Sequence, residues 1–351
     1  LGYAMGAERW INLLRAVGLP YPVSAPALKI ATDSLDTPNE PSTAVSGPRQ
    51  ARSQLTQVLQ SEGINVFPSQ GNFVFARGLD GTWWRDAMAG LGIGIRAWPN
   101  SADLGDAIRI SCPFESQDTE RVCRAIATIH RPQAILFDLD GVLADVSTSY
   151  REAIRLTAEQ FGVSVSQQDI ERIKAKGDAN NDWIVTWRLV TAAGVQARLE
   201  AITTAFESLY QGDADNDPLY LRERFLGSRD ALSKLRVHHK MAIVTGRPRK
   251  DAQRFLRDFD LESLFDAVIC MEDAPAKPSP APVRAALNAL GVERAWMMGD
   301  TPDDVVAARE AGVLPIGVVA PSASTSITSA LLKSGAAIVL DQWEQITERI
   351  S

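Results

Sequence analysis

The sequence predicts an α/β protein: a doubly wound parallel sheet with a helical insertion, preceded by a small α+β domain. Three observations carry this. From residue 133 onward, short apolar runs alternate with helical patterns, as parallel strands joined by helices do. A stretch of almost unbroken helical pattern, about 149–235, interrupts that alternation after its first strand. The first strand, Ala134-Ile135-Leu136-Phe137, runs directly into Asp138-Leu139-Asp140-Gly141. Two carboxylates are thus delivered to the carboxyl edge of the sheet, where open α/β sheets place their chemistry.

The elements follow in order. Ile11, Leu13, Leu14 and Val17 recur at helical spacing. Pro20, Pro22 and Pro26 interrupt, and residues 33–48, with three more prolines, read as a loop or short helices. Residues 49–62 read as a helix, 64–67 and 72–76 as strands between Pro, Ser and Gly turns, and 94–97 and 107–112 as two more. A helix is expected over 119–129. His130-Arg131-Pro132 breaks it, giving a first domain over 1–129, a linker at 130–132 and a second domain over 133–351. Further strands are expected at 241–245, 267–270, 295–298, 315–319 and 337–340, separated by helices.

The chain has 351 residues, 45% hydrophobic and 23% charged, enough for two domains. A formal charge of -7 and no basic run give no support to nucleic-acid binding. Cys112, Cys123 and Cys270 are odd in number and widely spaced, as reduced thiols in a cytoplasmic protein would be. No apolar run approaches the roughly 20 residues that span a bilayer. The chain opens on Leu1-Gly2-Tyr3 without a signal-peptide pattern, and the start reads as a cut inside a larger protein.

Four elements fall near the ends of four expected strands: Asp138 with Asp140; Thr245, after Met241-Ala242-Ile243-Val244; Lys277, in Lys277-Pro278-Ser279-Pro280; and Gly299-Asp300-Thr301-Pro302-Asp303-Asp304. In a parallel sheet these ends share one crevice. Clustered carboxylates repel unless a cation neutralises them, which points to Mg²⁺. An ammonium and a hydroxyl suit a phosphoryl group.

In this order, the residues resemble the haloacid dehalogenase-like (HAD) superfamily of phosphohydrolases over 133–351. Asp138 and Asp140 match its first motif, Thr245 the second, Lys277 the third, and Asp300 with Asp304 the fourth. The helical insertion matches its α-helical cap. The resemblance implies that Asp138 attacks phosphorus and that Asp140 serves as general acid, then base. It implies Mg²⁺ at Asp138, the main-chain carbonyl of Asp140 and Asp300, with Asp304 in support, and phosphoryl oxygens on Thr245 and Lys277. Members that cleave carbon–halogen bonds lack an aspartate at the position of Asp140, so its presence implies phosphate esters. Asp145 reads as a carboxylate near a helix start, and Asp303 lies one residue off the pattern. Arg247 is open between substrate contact and a structural role. His130, His238 and His239 match no motif.

The cap of this family selects substrate. Lys174, Lys176, Asn180, Asn181, Asp182, Trp183 and Arg188 gather around Gly177. We expect Asn181, Asp182 and Arg188 to face the active site, against the simpler reading of a solvated helical corner.

The first 129 residues resemble the C-terminal part of fold-type I aminotransferases, histidinol-phosphate aminotransferases in particular. The matching strings are Gly2-Tyr3-Ala4-Met5-Gly6, Pro20-Tyr21-Pro22-Val23-Ser24, Phe67-Pro68-Ser69-Gln70-Gly71-Asn72-Phe73-Val74, Gly94-Ile95-Arg96 and Ile108-Arg109-Ile110-Ser111. Arg109 matches the arginine that holds the substrate's anionic group. The Schiff-base lysine and the large domain belong upstream of Leu1 in that family. Pyridoxal phosphate is therefore expected only in an intact parent protein, and transaminase activity is not expected of this chain.

The expected function is hydrolysis of a small phosphorylated metabolite, with histidinol phosphate the candidate suggested by the attached aminotransferase-like segment. A general phosphoglycolate-type phosphatase is the alternative, and a phosphomutase is less favoured. Two readings come from other classes: a fragment of a bifunctional transaminase, and an N-terminal docking or dimerisation module that exposes apolar surface, with a homodimer the assembly to look for.

Overall fold

The computed structural model describes residues 4–18, 23–36, 40–174, 181–214, 217–321, 323–324 and 326–350. The N-terminal part runs α1 (Glu8–Val17), α2 (Ala25–Leu35), α3 (Glu40–Ser61), β1 (Asn65–Phe67), β2 (Phe73–Arg77), α4 (Gly81–Gly90), β3 (Arg96–Trp98), β4 (Ala107–Ser111) and α5 (Ser116–His130). The four strands form an antiparallel sheet in the order β1-β2-β4-β3. Leu55 and Leu59 of α3, Val74 and Ala76 of β2, Ile108 and Ile110 of β4, and Ile126 of α5 fill its core. The stretch 33–48, read as a loop or short helices, is helical through most of its described residues, in the end of α2 and the start of α3. Pro48 sits inside α3, and the helix continues through it, its apolar face at Ala51, Leu55 and Leu59 packed against α5. Before it, α1 buries no residue and leaves Trp10, Leu13, Leu14 and Val17 exposed, the apolar surface expected of this module.

The second part begins with β5 (Ala134–Phe137) and β6 (Ala144–Asp145). The helices α6 (Tyr150–Gln160), α7 (Gln167–Lys174), α8 (Asp182–Ala192) and α9 (Leu199–Gln211) follow. The chain returns through β7 (Arg224–Phe225), α10 (Arg229–His238), β8 (Lys240–Val244), α11 (Arg249–Asp258), β9 (Ala267–Ile269) and α12 (Ala281–Leu290). It ends with β10 (Ala295–Gly299), α13 (Pro302–Glu310), β11 (Leu314–Val318), α14 (Ile327–Ser334) and β12 (Ile338–Leu340). Six strands make one parallel sheet in the order β12-β11-β10-β5-β8-β9. Strand β5 is central and buried throughout. Its successors in the chain pair on one side (β8, β9) and then on the other (β10 to β12), so the switch point that opens a crevice lies at its carboxyl end.

The helical insertion is narrower than the 149–235 read from sequence. Helices α6 to α9 pack on one another, and a two-stranded ribbon, β6 against β7, closes their stem. Helix α10 instead packs beside the short turns at Glu262–Leu264 and Trp343–Glu348, against the main sheet's own layer. Its helical periodicity merged with that of the cap because the ribbon strand between them is only two residues long.

The two parts share one continuous hydrophobic core. Trp296 of β10, fully buried, donates its indole N–H to the Thr128 carbonyl of α5 at 2.6 Å and packs against Trp83 of α4, ring centroids 5.4 Å apart. At Gly90 a Cβ would press on Ala337 and Pro315, so α4 sits close over β11 and the start of β12. Residues 130–132 are docked as well: His130 pairs with Glu62, and the Pro132 carbonyl meets His239 Nδ1 at 3.0 Å. No helix among the described residues is long and apolar enough to cross a membrane.

Candidate active site

Asp138 follows the last residue of β5, and its amide donates to the Met298 carbonyl of β10, 2.9 Å away. The chain then turns sharply at Gly141, which has φ +75°. A side chain there would be strained and would overlap the Asp300 carboxylate, so the turn after the double aspartate needs glycine twice over. Gly299 plays the same part for Asp304, whose side chain occupies the space a Cβ would take.

Asp138, Asp300 and Asp304 each bring a carboxylate oxygen within 4.8 Å of the others. Lys277, its ammonium buried, lies among them: Nζ is 2.9 Å from Asp138 Oδ1, 2.5 Å from Asp304 Oδ1 and 3.0 Å from the Val244 carbonyl. Lys277 is not at a strand end as expected. It stands in the loop between β9 and α12, and reaches the edge through its long side chain. Asp304 also accepts from the amide and hydroxyl of Thr301, closing a capping box at the start of α13. Of the three carboxylates, it is the one most committed to other partners. Thr245 is buried directly after β8, and its hydroxyl accepts from the Arg247 amide.

Burial raises the Asp138 carboxyl well above the usual carboxylate range. Lys277 opposes the rise, and the charges of Asp304, Asp300 and Asp140 add to it. Burial and the neighbouring Asp304 push Asp300 up to about 7. Arg151 and Lys174 of the cap act on it in the opposite sense. A buried carboxylate at Asp138 beside the half-buried Asp300 fits a hard divalent cation, which would relieve their repulsion.

Asp140 lines a small cavity of about 20 Å³, together with Tyr150, Asn181, Asp182, Trp183, Gly246, Arg247, Pro248 and Met271. Of the three cap residues expected there, Asn181 and Asp182 line it. Asn181 also caps α8 through the Trp183 and Ile184 amides, and Lys174 Nζ is 2.8 Å from Asp182 Oδ1. Arg188, further along α8, is not among its lining residues. Lys176 and Asn180 lie outside the described residues. A further cavity, about 40 Å³, lies between Arg151, Glu171 and Lys174 of the cap and Asp300 to Pro302 of the core. Asp145 accepts from the Ser147 amide in the stem, and Asp303 is buried in the first turn of α13.

Sequence reasoning missed the partners of Asp140. Arg247, with its side chain 1% exposed, donates from Nε to Asp140 Oδ1 at 2.6 Å and from Nη1 to Glu223 Oε2 at 2.9 Å. Burial works against the guanidinium's charge, and Asp140 and Glu223 more than restore it. No motif marks Glu223; the one available signal was an arginine placed just past a strand end. Arg109 lies on β4 of the other sheet, its guanidinium carbon 5.6 Å from the centre of the Phe73 ring.

A parallel sheet with these groups at its switch point, and a helical cap inserted after the first strand, defines a capped α/β hydrolase. The chain belongs to the haloacid dehalogenase-like hydrolase family, whose model matches residues 135–318. A second model, aminotransferase class I and II, matches residues 1–126, so the hydrolase is fused to an aminotransferase-like fragment. A protein of Phytophthora nicotianae named imidazoleglycerol-phosphate dehydratase is 48% identical over 220 residues, covering 60% of this chain. The chain spans about half of that relative's length, 48%. The phosphoglycolate phosphatase of Rhodospirillum rubrum is 29% identical over 223 residues, covering 61% of this chain and 89% of that protein. A haloacid dehalogenase-like hydrolase from Bacteroides fragilis superimposes with a TM-score of 0.51 at 22% identity, over 62% of this chain and all of that one, a likeness of fold.

Proposed function

We propose that residues 133–351 form a Mg²⁺-dependent phosphomonoesterase that works through an aspartyl-phosphate. The observation that carries this is the buried Asp138 held by Lys277 beside Asp300, with Asp140 two residues on and lining a cavity. Phosphatase relatives, among them that of Rhodospirillum rubrum, support it. Asp138, Asp300 and the Asp140 carbonyl would hold the cation, whose charge offsets that of the phosphoryl group. Lys277 favours the ionised form of Asp138 against its burial and, with Thr245, would orient phosphoryl oxygens. An oxygen of Asp138 forms the new bond to phosphorus as the bond to the ester oxygen breaks, and Asp140 gives its proton to the departing alkoxide. Asp140, now a carboxylate, takes a proton from the water that cleaves the aspartyl-phosphate, so phosphate leaves and both aspartates are restored. Asp304 supports this set by holding Lys277.

The substrate reading is histidinol phosphate. The aminotransferase-like segment supports it, as does the relative named for imidazoleglycerol phosphate, since both esters carry an imidazole. The cavity beside Asp140 also presents Asp182 and the Trp183 ring. The alternative is a carboxylate-bearing ester such as phosphoglycolate, favoured by the phosphoglycolate phosphatase relatives and by Arg151 and Lys174 of the cap. Initial rates with Mg²⁺ on histidinol phosphate, phosphoglycolate and p-nitrophenyl phosphate decide. Histidinol phosphate is expected to have the highest kcat/KM, and parity with p-nitrophenyl phosphate would sink that assignment.

A further inference from the structure

We propose that Arg247 and Glu223 are positioning residues for Asp140, a buried relay that ties the acid/base group to the seat of the cap. The inference rests on the phosphatase reading above. A guanidinium this deeply buried is tolerated only where carboxylates pair with it. Here the two carboxylates come from different places. Asp140 belongs to the turn after β5, whereas Glu223 belongs to the connection by which the chain returns from the cap, one residue before β7.

Glu223 is itself fixed from the cap side. Its Oε1 accepts from Ser149 Oγ at 3.1 Å, on the outgoing connection, and from Tyr210 OH at 2.8 Å, on α9. The two connections are joined directly by Thr148 Oγ1 to the Arg222 carbonyl. The guanidinium lies 4.9 Å from the centre of the Tyr150 ring and 5.4 Å from that of Phe255, one from the cap and one from α11. Arg247 therefore has little freedom of its own, and its place is set by where the two connections meet.

The consequence falls on Asp140. Nε and Nη2 both lie 2.6 Å from Oδ1. A proton is carried without breaking these contacts only on Oδ2. The relay thus fixes which oxygen of Asp140 meets the leaving group, and a cap that shifts its connections shifts that oxygen.

The test uses leaving groups. An alkoxide needs a proton to depart, while nitrophenolate does not, so misplacing the acid penalises alkyl esters selectively. The full chain is assayed with Mg²⁺, comparing kcat/KM for p-nitrophenyl phosphate with that for the best alkyl ester among histidinol phosphate, phosphoglycolate and glycerol phosphate. Glu223→Gln, close in shape, is expected to lower the alkyl-to-nitrophenyl ratio by about tenfold or more, part of the roughly 10²–10⁴-fold a general acid supplies. Arg247→Lys, which keeps the charge and loses the fork, is expected to lower it too. An equal fall on both esters in these variants means a merely structural role and overturns the relay, as does an unchanged ratio. A wild-type chain inert toward every ester overturns the phosphatase reading, and the relay with it.

Discussion

In the C-terminal sheet, three aspartates and a lysine converge where the central strands end. In the N-terminal sheet, Arg96 and Arg109 face each other across β3 and β4, and Arg109 lies over the Phe73 ring. The first gathers opposite charges out of water, where burial and neighbouring carboxylates raise the Asp138 and Asp300 carboxyls against the pull of the cations. The second sets like charges side by side, an arrangement that does not favour the sheet. What the N-terminal part does share with its neighbour is packing: Trp83, Gly90 and Thr128 all meet the hydrolase sheet. The first region gathers ionisable groups at one sheet edge, and the second meets it through apolar packing.

The contrast is broken most severely at Asp138. Asp138→Asn is expected to cut phosphate-ester turnover by about 10³–10⁶-fold with the thermal unfolding midpoint unchanged or raised, measured by phosphate release and calorimetry. Removal of residues 1–130 uncovers Trp296 and its surroundings. The shortened chain is expected to aggregate or bind a hydrophobic dye strongly, and a monomeric, fully active fragment would show that the contact is dispensable. Trp296→Ala tests the same seam with one substitution, with an expected loss of about 3–5 kcal/mol in denaturant unfolding.

A subtler difference concerns pH. Folding raises the Asp300 carboxyl to about 7, above its unfolded value near 4, so the folded state binds the extra proton. Its contribution to stability is therefore present at low pH and lost as pH rises from about 4 through about 7. In chelator-treated protein the melting temperature should fall across that window, and added Mg²⁺ should lift it most at the upper end. The smallest expected effect is at Arg109. Arg109→Ala should leave phosphate-ester turnover within about twofold of the parent, since it stands on the other sheet; a larger loss would mean that the two regions are coupled chemically.

Much of the site was legible because its chemistry is local. The Asp138-Leu-Asp140-Gly141 turn and the Gly299-Asp300 turn each need small residues beside carboxylates, and such requirements show in a short string. Lys277 was recognisable by type but not by place, because a long side chain reaches the edge from a loop. Arg247 was noticed with its role open, but Glu223 and the pairing of the two were not legible. They lie 24 residues apart and meet only through the return of the cap chain. The same distance effect hid the end of the cap, where a two-residue strand separates two helical patterns. Pro48 misled in the other direction, since packing of α3 against α5 outweighs a single helix-breaking residue.

The seam at Trp296 has a consequence for descent. Once a sheet face has become apolar and sealed by an attached neighbour, losing that neighbour harms folding before any question of its activity arises. Such a seam acts as a ratchet: fusion is easily entered and hard to reverse.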